Sequence, residues 1–503
     1  MNKLKQLKME HIIYFYIIIC PILDIVSFLF RNAFNTNISI STFLRPIIPI
    51  ILAIYIFIKA NKKHKLILSG IGLVYVIYGI VHLAVTKTFL TGCSYGGIVQ
   101  ELQYVVNYTF LIFNLVVFYY VFINNNWRKD NKSNIVINKE NNNNDLNENK
   151  KEKKTEKTKN SKVYNLRVSV LIMCAIYIVS IYASILTGTS SYTYAEEQIG
   201  YKGWIESGNS LSAILCISTF LILPLIKNKK YRIYTIIVLI LVGIFLVSLI
   251  GTRVGLLGFF IAIAVFIALE VFFSKNKIAI IGFIILGVSV IAVGLVGSNT
   301  LKRRSQMNES QYDIIDEATG EVGHMTGDML DIKNKILDGS LEEGFMSYAQ
   351  QNAVLKLNEY TTSHNIEGNN TRKQQLMYNY YLVLEQKSIL GILFGNGFEA
   401  NFREMVMENE LASLVFNFGI FGFFMYAGPF LAILIYAVID VIKRLKKKLD
   451  TSYLMAISAL GLLIILSYLS GYIFFNSSLI AIISVACTLV LDSINKEKIM
   501  NNK

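Results

Sequence analysis

Residues 248–260 read SLIGTRVGLLGFF, and this stretch interrupts an apolar run from residue 233 to residue 273. A helix rises about 1.5 Å per residue and a bilayer's hydrocarbon core is about 30 Å thick, so one crossing takes about 20 residues. The run is about twice that length. It reads as two membrane-spanning helices joined by a tight hairpin at Gly251-Thr252-Arg253, with Gly251 supplying the turn. Arg253 then sits at the membrane face, where desolvating a guanidinium costs a few kcal/mol.

The rest of the chain repeats the pattern. Of 503 residues, 54% are hydrophobic and only 16% charged, and the mean hydropathy is +0.49. A soluble chain of this length carries more charge, so the composition argues against a soluble protein. Apolar runs place spans at about residues 12–30, 43–60, 66–86, 104–124, 166–187, 209–226, 233–251, 254–273, 278–298, 411–440, 452–470 and 474–491. The fold class expected is an all-α polytopic membrane protein of about 12 transmembrane helices. The basic N-terminal segment MNKLKQLKMEHIIYFYIIICPILD is followed by no small-residue cleavage site, so it reads as the first span.

Basic clusters fix the expected orientation. NKLKQLK, KANKKHK (59–65), NKKYR (228–232), SKNK (274–277), KRLKKKLD (443–450) and NKEKIMNNK (495–503) all fall on one side under a 12-span count. By the positive-inside rule that side is the cytoplasm, with both termini inside the cell. The segment from residue 301 to residue 410 has 17 acidic and 10 basic residues, a net −7, which leaves +21 elsewhere from the chain total of +14. The expected organisation is spans 1–4 within residues 1–124, a disordered cytoplasmic Asn/Lys-rich loop at 125–165 and spans 5–9 within 166–300. A large, partly helical extracytoplasmic loop follows at 301–410, then spans 10–12 and a cytoplasmic tail at 411–503.

Cys20, Cys93, Cys174, Cys216 and Cys487 are scattered, with no CxxC and no His/Cys pairing, so neither a disulfide framework nor a zinc site is expected. Candidate functional residues gather instead near the outer face. Arg253 has two readings: it snorkels to lipid phosphates, or it holds a phosphate-bearing ligand through its two-pronged guanidinium. Downstream lies ILFGNGFEANFREMVMENELASLVFNFGIFGFF, 392–424. Gly395 and Gly397 suit a tight return to the membrane. Glu408 and Glu410 precede the next span and, two residues apart, point to different faces. They read either as a helix start favoured by the helix dipole or as a carboxylate general base at the membrane surface. Arg403 in the same segment is a further candidate substrate contact. In GYKGWIESGNSLSAILC (200–216), Trp204 and Asn209 read first as an interfacial anchor and a helix cap, with Asn209 also a candidate substrate contact. Asp24 and Arg45, both in apolar context, read as a structural pair.

GWIESGN, then SLIGTRVGLLG, then a long loop, then LFGNGF followed by ENELASLVFNFGIFGFF resembles, in order and spacing, the O-antigen ligase and polymerase superfamily, and PILD in the first span is similar to Gram-positive members. In ligases of that superfamily the last motif begins His-Asn, eleven residues ahead of a Gly-x-x-Gly. Here Glu408-Asn409 stands at that spacing from Gly419. Arg253 and Arg372, in NNTRKQQLMYNYY, match the superfamily's arginines. The resemblance implies a fold similar to the GT-C membrane glycosyltransferases, no metal and no cofactor. It implies a donor glycan on polyprenyl pyrophosphate at the outer leaflet, Glu408 as catalytic base, and Arg253, Arg372, Asn209, Glu410 and Arg403 as substrate contacts. Glutamate in place of histidine leans the reading toward a polymerase. Expected partners are the lipid-linked glycan, membrane lipid, and flippase and chain-length proteins of a polysaccharide assembly system; no nucleic acid is expected. The rival reading is a transporter or flippase, against which stand the absence of an internal repeat and the gathering of charges at one face.

Overall fold

The computed structural model describes residues 8–36, 40–89, 97–124, 126–127, 145–195, 197–274, 278–309, 323–325, 327–366, 370–398, 405, 407–444, 449–469, 471, 473–474 and 476–501. The chain opens with α1 (Met9–Phe34), α2 (Ile40–Leu44), α3 (Ile47–Lys59), α4 (Lys62–Phe89) and α5 (Ile98–Phe118). α6 (Asp145–Leu186) begins inside the Asn/Lys-rich segment and leads to a hairpin of β1 (Ser191–Tyr194) and β2 (Ile199–Gly203), antiparallel with Tyr192 opposite Tyr201. Then come α7 (Gly208–Ile222), α8 (Arg232–Ile244), α9 (Arg253–Leu269), α10 (Ala279–Val296) and α11 (Asn299–Glu309). The loop region holds α12 (Gly327–Asp338), α13 (Tyr348–Ser363), α14 (Thr371–Gln386) and α15 (Ile389–Phe394). α16 (Glu410–Asn417), α17 (Gly419–Tyr426), α18 (Gly428–Lys443), α19 (Thr451–Leu469) and α20 (Ser477–Asn501) complete the chain.

Among the described residues, ten helices are long and apolar enough to cross a membrane, and twelve if two bent helix pairs each count as one span. The bent pairs are Ala279–Gly294 with Asn299–Ser305, at 48°, and Gly419–Tyr426 with Gly428–Lys443, at 52°. Each of the twelve overlaps one of the apolar runs, although 411–440 is broken into α16, α17 and α18, and the protein is an all-α polytopic membrane protein. Pro429 accounts for the second bend: it opens α18 with no N–H to continue the helical ladder.

Burial separates centre from rim. The span beginning at Gly208 is 94% buried and the one beginning at Ser477 is 83% buried, whereas that of α4 is 17% buried and faces outward. In lipid the apolar effect gives little force between helices, so packing and internal polar contacts hold the bundle. One such contact is the pair expected from sequence. Arg45, 3% exposed, bonds Asp24, Ser477 and the Cys20 carbonyl. Tyr177 and Ser478 donate to the same Asp24 carboxylate at 2.5 and 2.8 Å. Four crossings are tied by one charge pair, and the further hydrogen bonds to both partners offset the cost of burying it.

The loop region has a hydrophobic core of its own, built from Met329, Val354, Leu357, Tyr378, Leu382 and Met405 among others. Helical segments are thus present within 301–410, as the sequence pattern indicated. The cap of α7 differs from expectation. Ser207, not Asn209, accepts the Ser210 N–H, because the helix already begins at Gly208 and Asn209 is its second residue.

Candidate functional site

The site is assembled at the bundle end that carries the β-hairpin and the loop region. The turn at residue 251 is the one its sequence required: Gly251 has φ +81°. Thr252 caps α9 by accepting the Gly255 N–H at 3.1 Å, and its hydroxyl lies 2.6 Å from Ser212 of α7. Just before the turn, residues Phe245–Leu249 widen into a π-helical turn, a feature frequent at functional sites. The hairpin presses on this turn: a side chain at Gly200 would lie 2.2 Å from the Ile250 carbonyl. α11 docks on it as well, through Asn299 to the Leu249 carbonyl at 2.8 Å and Ser298 to the Val247 carbonyl at 2.9 Å.

These contacts gather cations around one phenol. Arg303, about one turn along α11, stacks its guanidinium over the Tyr194 ring at 3.3 Å. Its Nε is buried and has no hydrogen-bond partner among the described residues. Burial pushes the Tyr194 phenol above its ordinary range, Arg303, Arg253 and Arg372 all act in the opposite sense, and Glu197 adds to the rise. Three arginines far apart in sequence therefore share one neighbourhood. Arg253 is exposed on the first turn of α9, and no described residue forms an ion pair with it.

Glu408 is brought to this cluster by α14. Its Oε2 accepts from Arg372 Nε at 2.7 Å, with the two side chains 41% and 55% exposed. Gln375 accepts the Glu408 N–H at 3.1 Å, and Asn379 donates to the Met405 carbonyl at 3.3 Å. Arg372, Gln375 and Asn379 recur at i, i+3 and i+7, so one helix face holds both Met405 and Glu408. On the other side the chain lies over Gly471, where a side chain would come within 2.1 Å of the Glu408 carbonyl. Asn409 caps α16 by accepting the Ala412 N–H at 3.2 Å.

Glu410 goes elsewhere. It is 2% exposed. Its carboxylate accepts the Ile473 N–H at 2.7 Å, the Phe474 N–H at 2.9 and 3.0 Å, and the Tyr108 hydroxyl at 3.1 Å. It thus holds the break between α19 and α20 from inside the bundle. Asn209 is half-buried on the first turn of α7, next to β1, whose Thr193 touches the preceding Gly208. Arg403 lies outside the described residues. Tyr194 and Arg303 are the site members that sequence reasoning missed. Among the described residues no three His, Cys, Asp or Glu side chains converge as metal ligands.

Arginines beside a carboxylate at one end of a bundle of spanning helices define a multi-pass membrane protein with a charged candidate site. The sequence matches the family described as O-antigen ligase like membrane protein over residues 151–497, and the chain belongs to that family. A comparison with curated proteins finds no match. The family is one of membrane enzymes in surface polysaccharide assembly, as the order of motifs indicated.

Proposed function

We propose that the protein is a membrane polymerase, or ligase, that transfers a glycan from a polyprenyl pyrophosphate carrier to an acceptor sugar hydroxyl. Both termini lie in the cytoplasm and the site lies at the outer leaflet. The observation that carries the reading is Glu408 held on Arg372 at 2.7 Å, with Arg303 stacked on Tyr194 and Arg253 exposed on the first turn of α9.

Each group has a role. The arginines take the pyrophosphate oxygens, since a guanidinium matches phosphate with paired donors. The Glu408 carboxylate accepts the proton of the acceptor hydroxyl as that oxygen bonds to the sugar C1. The bond from C1 to the pyrophosphate oxygen breaks, and its electron pair leaves on the lipid pyrophosphate, where the arginines meet the growing charge. Arg372 serves in both settings: it pairs with Glu408 when the site is empty and turns to phosphate when the donor arrives. An ion pair this exposed is worth about 0–1 kcal/mol, so exchanging it costs little. Asn209 and Arg403 stand as further substrate contacts.

Deleting the gene and analysing surface glycans with lipid-linked intermediates tests the reading. Accumulated lipid-linked repeat units and lost polymer are expected. Unchanged surface glycan together with lost uptake of a solute points to a transporter and overturns it.

A further inference from the structure

A second polar centre lies inside the bundle, away from the arginines. His82 of α4 and Glu101 of α5 are both 0% exposed. His82 Nε2 lies 2.9 Å from Glu101 Oε1, and His82 Nδ1 lies 2.7 Å from the Phe394 carbonyl. A carbonyl only accepts, so Nδ1 carries a hydrogen. The Nε2–Oε1 contact then needs one proton between two atoms that would otherwise meet lone pair to lone pair. The remaining carboxylate oxygen, Glu101 Oε2, accepts the Phe398 N–H at 2.8 Å. The pair thus grips both ends of the segment Phe394–Phe398.

That segment is threaded through a slot admitting no side chain at two positions. Gly397 has φ +83°, and a Cβ there would lie 2.1 Å from Thr86 Cγ2 and 3.0 Å from Glu101 Oε2. Gly395 has φ +88°, and its Cβ would lie 2.0 Å from the Asn417 carbonyl oxygen. The far wall of the slot is the break between α16 and α17. Asn396 N–H donates to the Phe416 carbonyl at 3.0 Å and Gly397 N–H to the Asn417 carbonyl at 2.9 Å. From α4, Tyr78 closes the wall by donating to the Phe418 carbonyl at 2.6 Å.

We propose that His82 and Glu101 are positioning residues for Glu408, acting through this segment on the far end of α16. The inference rests on the assignment of Glu408 as the base. α16 has eight residues, so it is a lever about 12 Å long. A tilt of about 5° at its Asn417 end moves the Glu408 end by about 1 Å. A misplacement of about 1 Å at a reacting group can cost about 10²-fold in rate. Substrate binding, which uses the arginines on other elements, is spared.

The test compares glycan transfer by the full chain in lipid nanodiscs, with kcat and donor KM measured separately. His82→Phe and Glu101→Leu are expected to lower kcat about 10- to 100-fold, with KM within about threefold of wild type. Glu101→Gln rebuilds both bonds: its carbonyl oxygen takes the Phe398 N–H and its amide donates to His82 Nε2. It should keep kcat within about threefold of wild type, a rescue that a loss of packing alone does not produce. Where an apolar variant does not fold, Gly397→Ala carries the test, because its new methyl pushes the segment off Thr86 and Glu101. It should lower kcat, and adding Thr86→Ser, which removes the obstructing Cγ2, should restore part of it. Full kcat in a folded His82→Phe, Glu101→Leu or Gly397→Ala protein overturns the proposal. So does a Glu101→Gln protein as impaired as Glu101→Leu. Glu408→Gln is measured alongside. If it keeps full turnover, the base assignment has failed, whereas if it is inactive and the pair's variants are not, only the positioning role has failed.

Discussion

Replacing Glu410 with alanine removes the acceptor on which the α19–α20 break hangs. Two backbone N–H groups, of Ile473 and Phe474, and the Tyr108 hydroxyl lose their partner. At 2% exposure no bulk water takes its place. Each buried donor left unpaired costs about 1–3 kcal/mol, so the two N–H groups alone cost about 2–6 kcal/mol. At roughly 1–2 °C per kcal/mol for a chain of this length, the unfolding midpoint should fall by about 5 °C. Glu408→Ala deletes an ion pair whose partners are 41% and 55% exposed, worth about 0–1 kcal/mol, so its midpoint should stay within about 2 °C of wild type. Both variants would be followed by thermal unfolding in nanodiscs of fixed lipid composition. Equal midpoints for the two, or a larger fall for Glu408→Ala, would refute the division of the two carboxylates into an interior clamp and an accessible group.

Arg253→Lys keeps the cation but loses the paired donors, so it should retain partial activity while Arg253→Ala retains almost none at normal protein levels; full polymer synthesis by Arg253→Ala would return the residue to lipid snorkelling. Gly419→Ala should lower the folded yield sharply, because Gly419 sits at φ +73° with the Gly395 nitrogen 2.5 Å from any Cβ; a yield equal to wild type contradicts the interlock of the two glycine motifs. With the site outside, an impermeant thiol reagent should label a cysteine placed at Ser340 and miss one placed at Asn143; the reverse pattern removes the outer-leaflet site.

The spans were legible because lipid imposes one rule on every crossing: about 20 apolar residues with the backbone satisfied internally. The hairpin at Gly251 was legible for the same reason, since a 41-residue apolar run (233–273) has to turn somewhere. The divergence of Glu408 from Glu410 was expected from helix faces, but it arises because Glu408 precedes Asn409, the cap of α16, and so lies off the helix that carries Glu410. Arg303 escaped notice because LKRRSQ reads as an ordinary basic start to a polar loop; only the docking of Asn299 and Ser298 on carbonyls at the end of the Arg232–Leu249 span aims it at Tyr194. Tyr194 lies in a hairpin of short strands, which leaves little periodicity to read. The faces of α14 were within reach, because Arg372, Gln375 and Asn379 share a helical stripe. His82 and Glu101 carried a usable signal too: an ionisable residue inside a span is a candidate for function until its partner is known.

In the proposed reaction Glu408 moves a proton while the arginines hold the donor. Its most direct test is a single preparation of Glu408→Gln, assayed with a synthetic polyprenyl-pyrophosphate glycan for both turnover and donor affinity. Glutamine keeps the size and most hydrogen bonding but removes the basic oxygen. Turnover should fall by about 10²–10⁴-fold, with donor affinity within about threefold of wild type. Unchanged turnover, or a loss of affinity as large as the loss of rate, would contradict it.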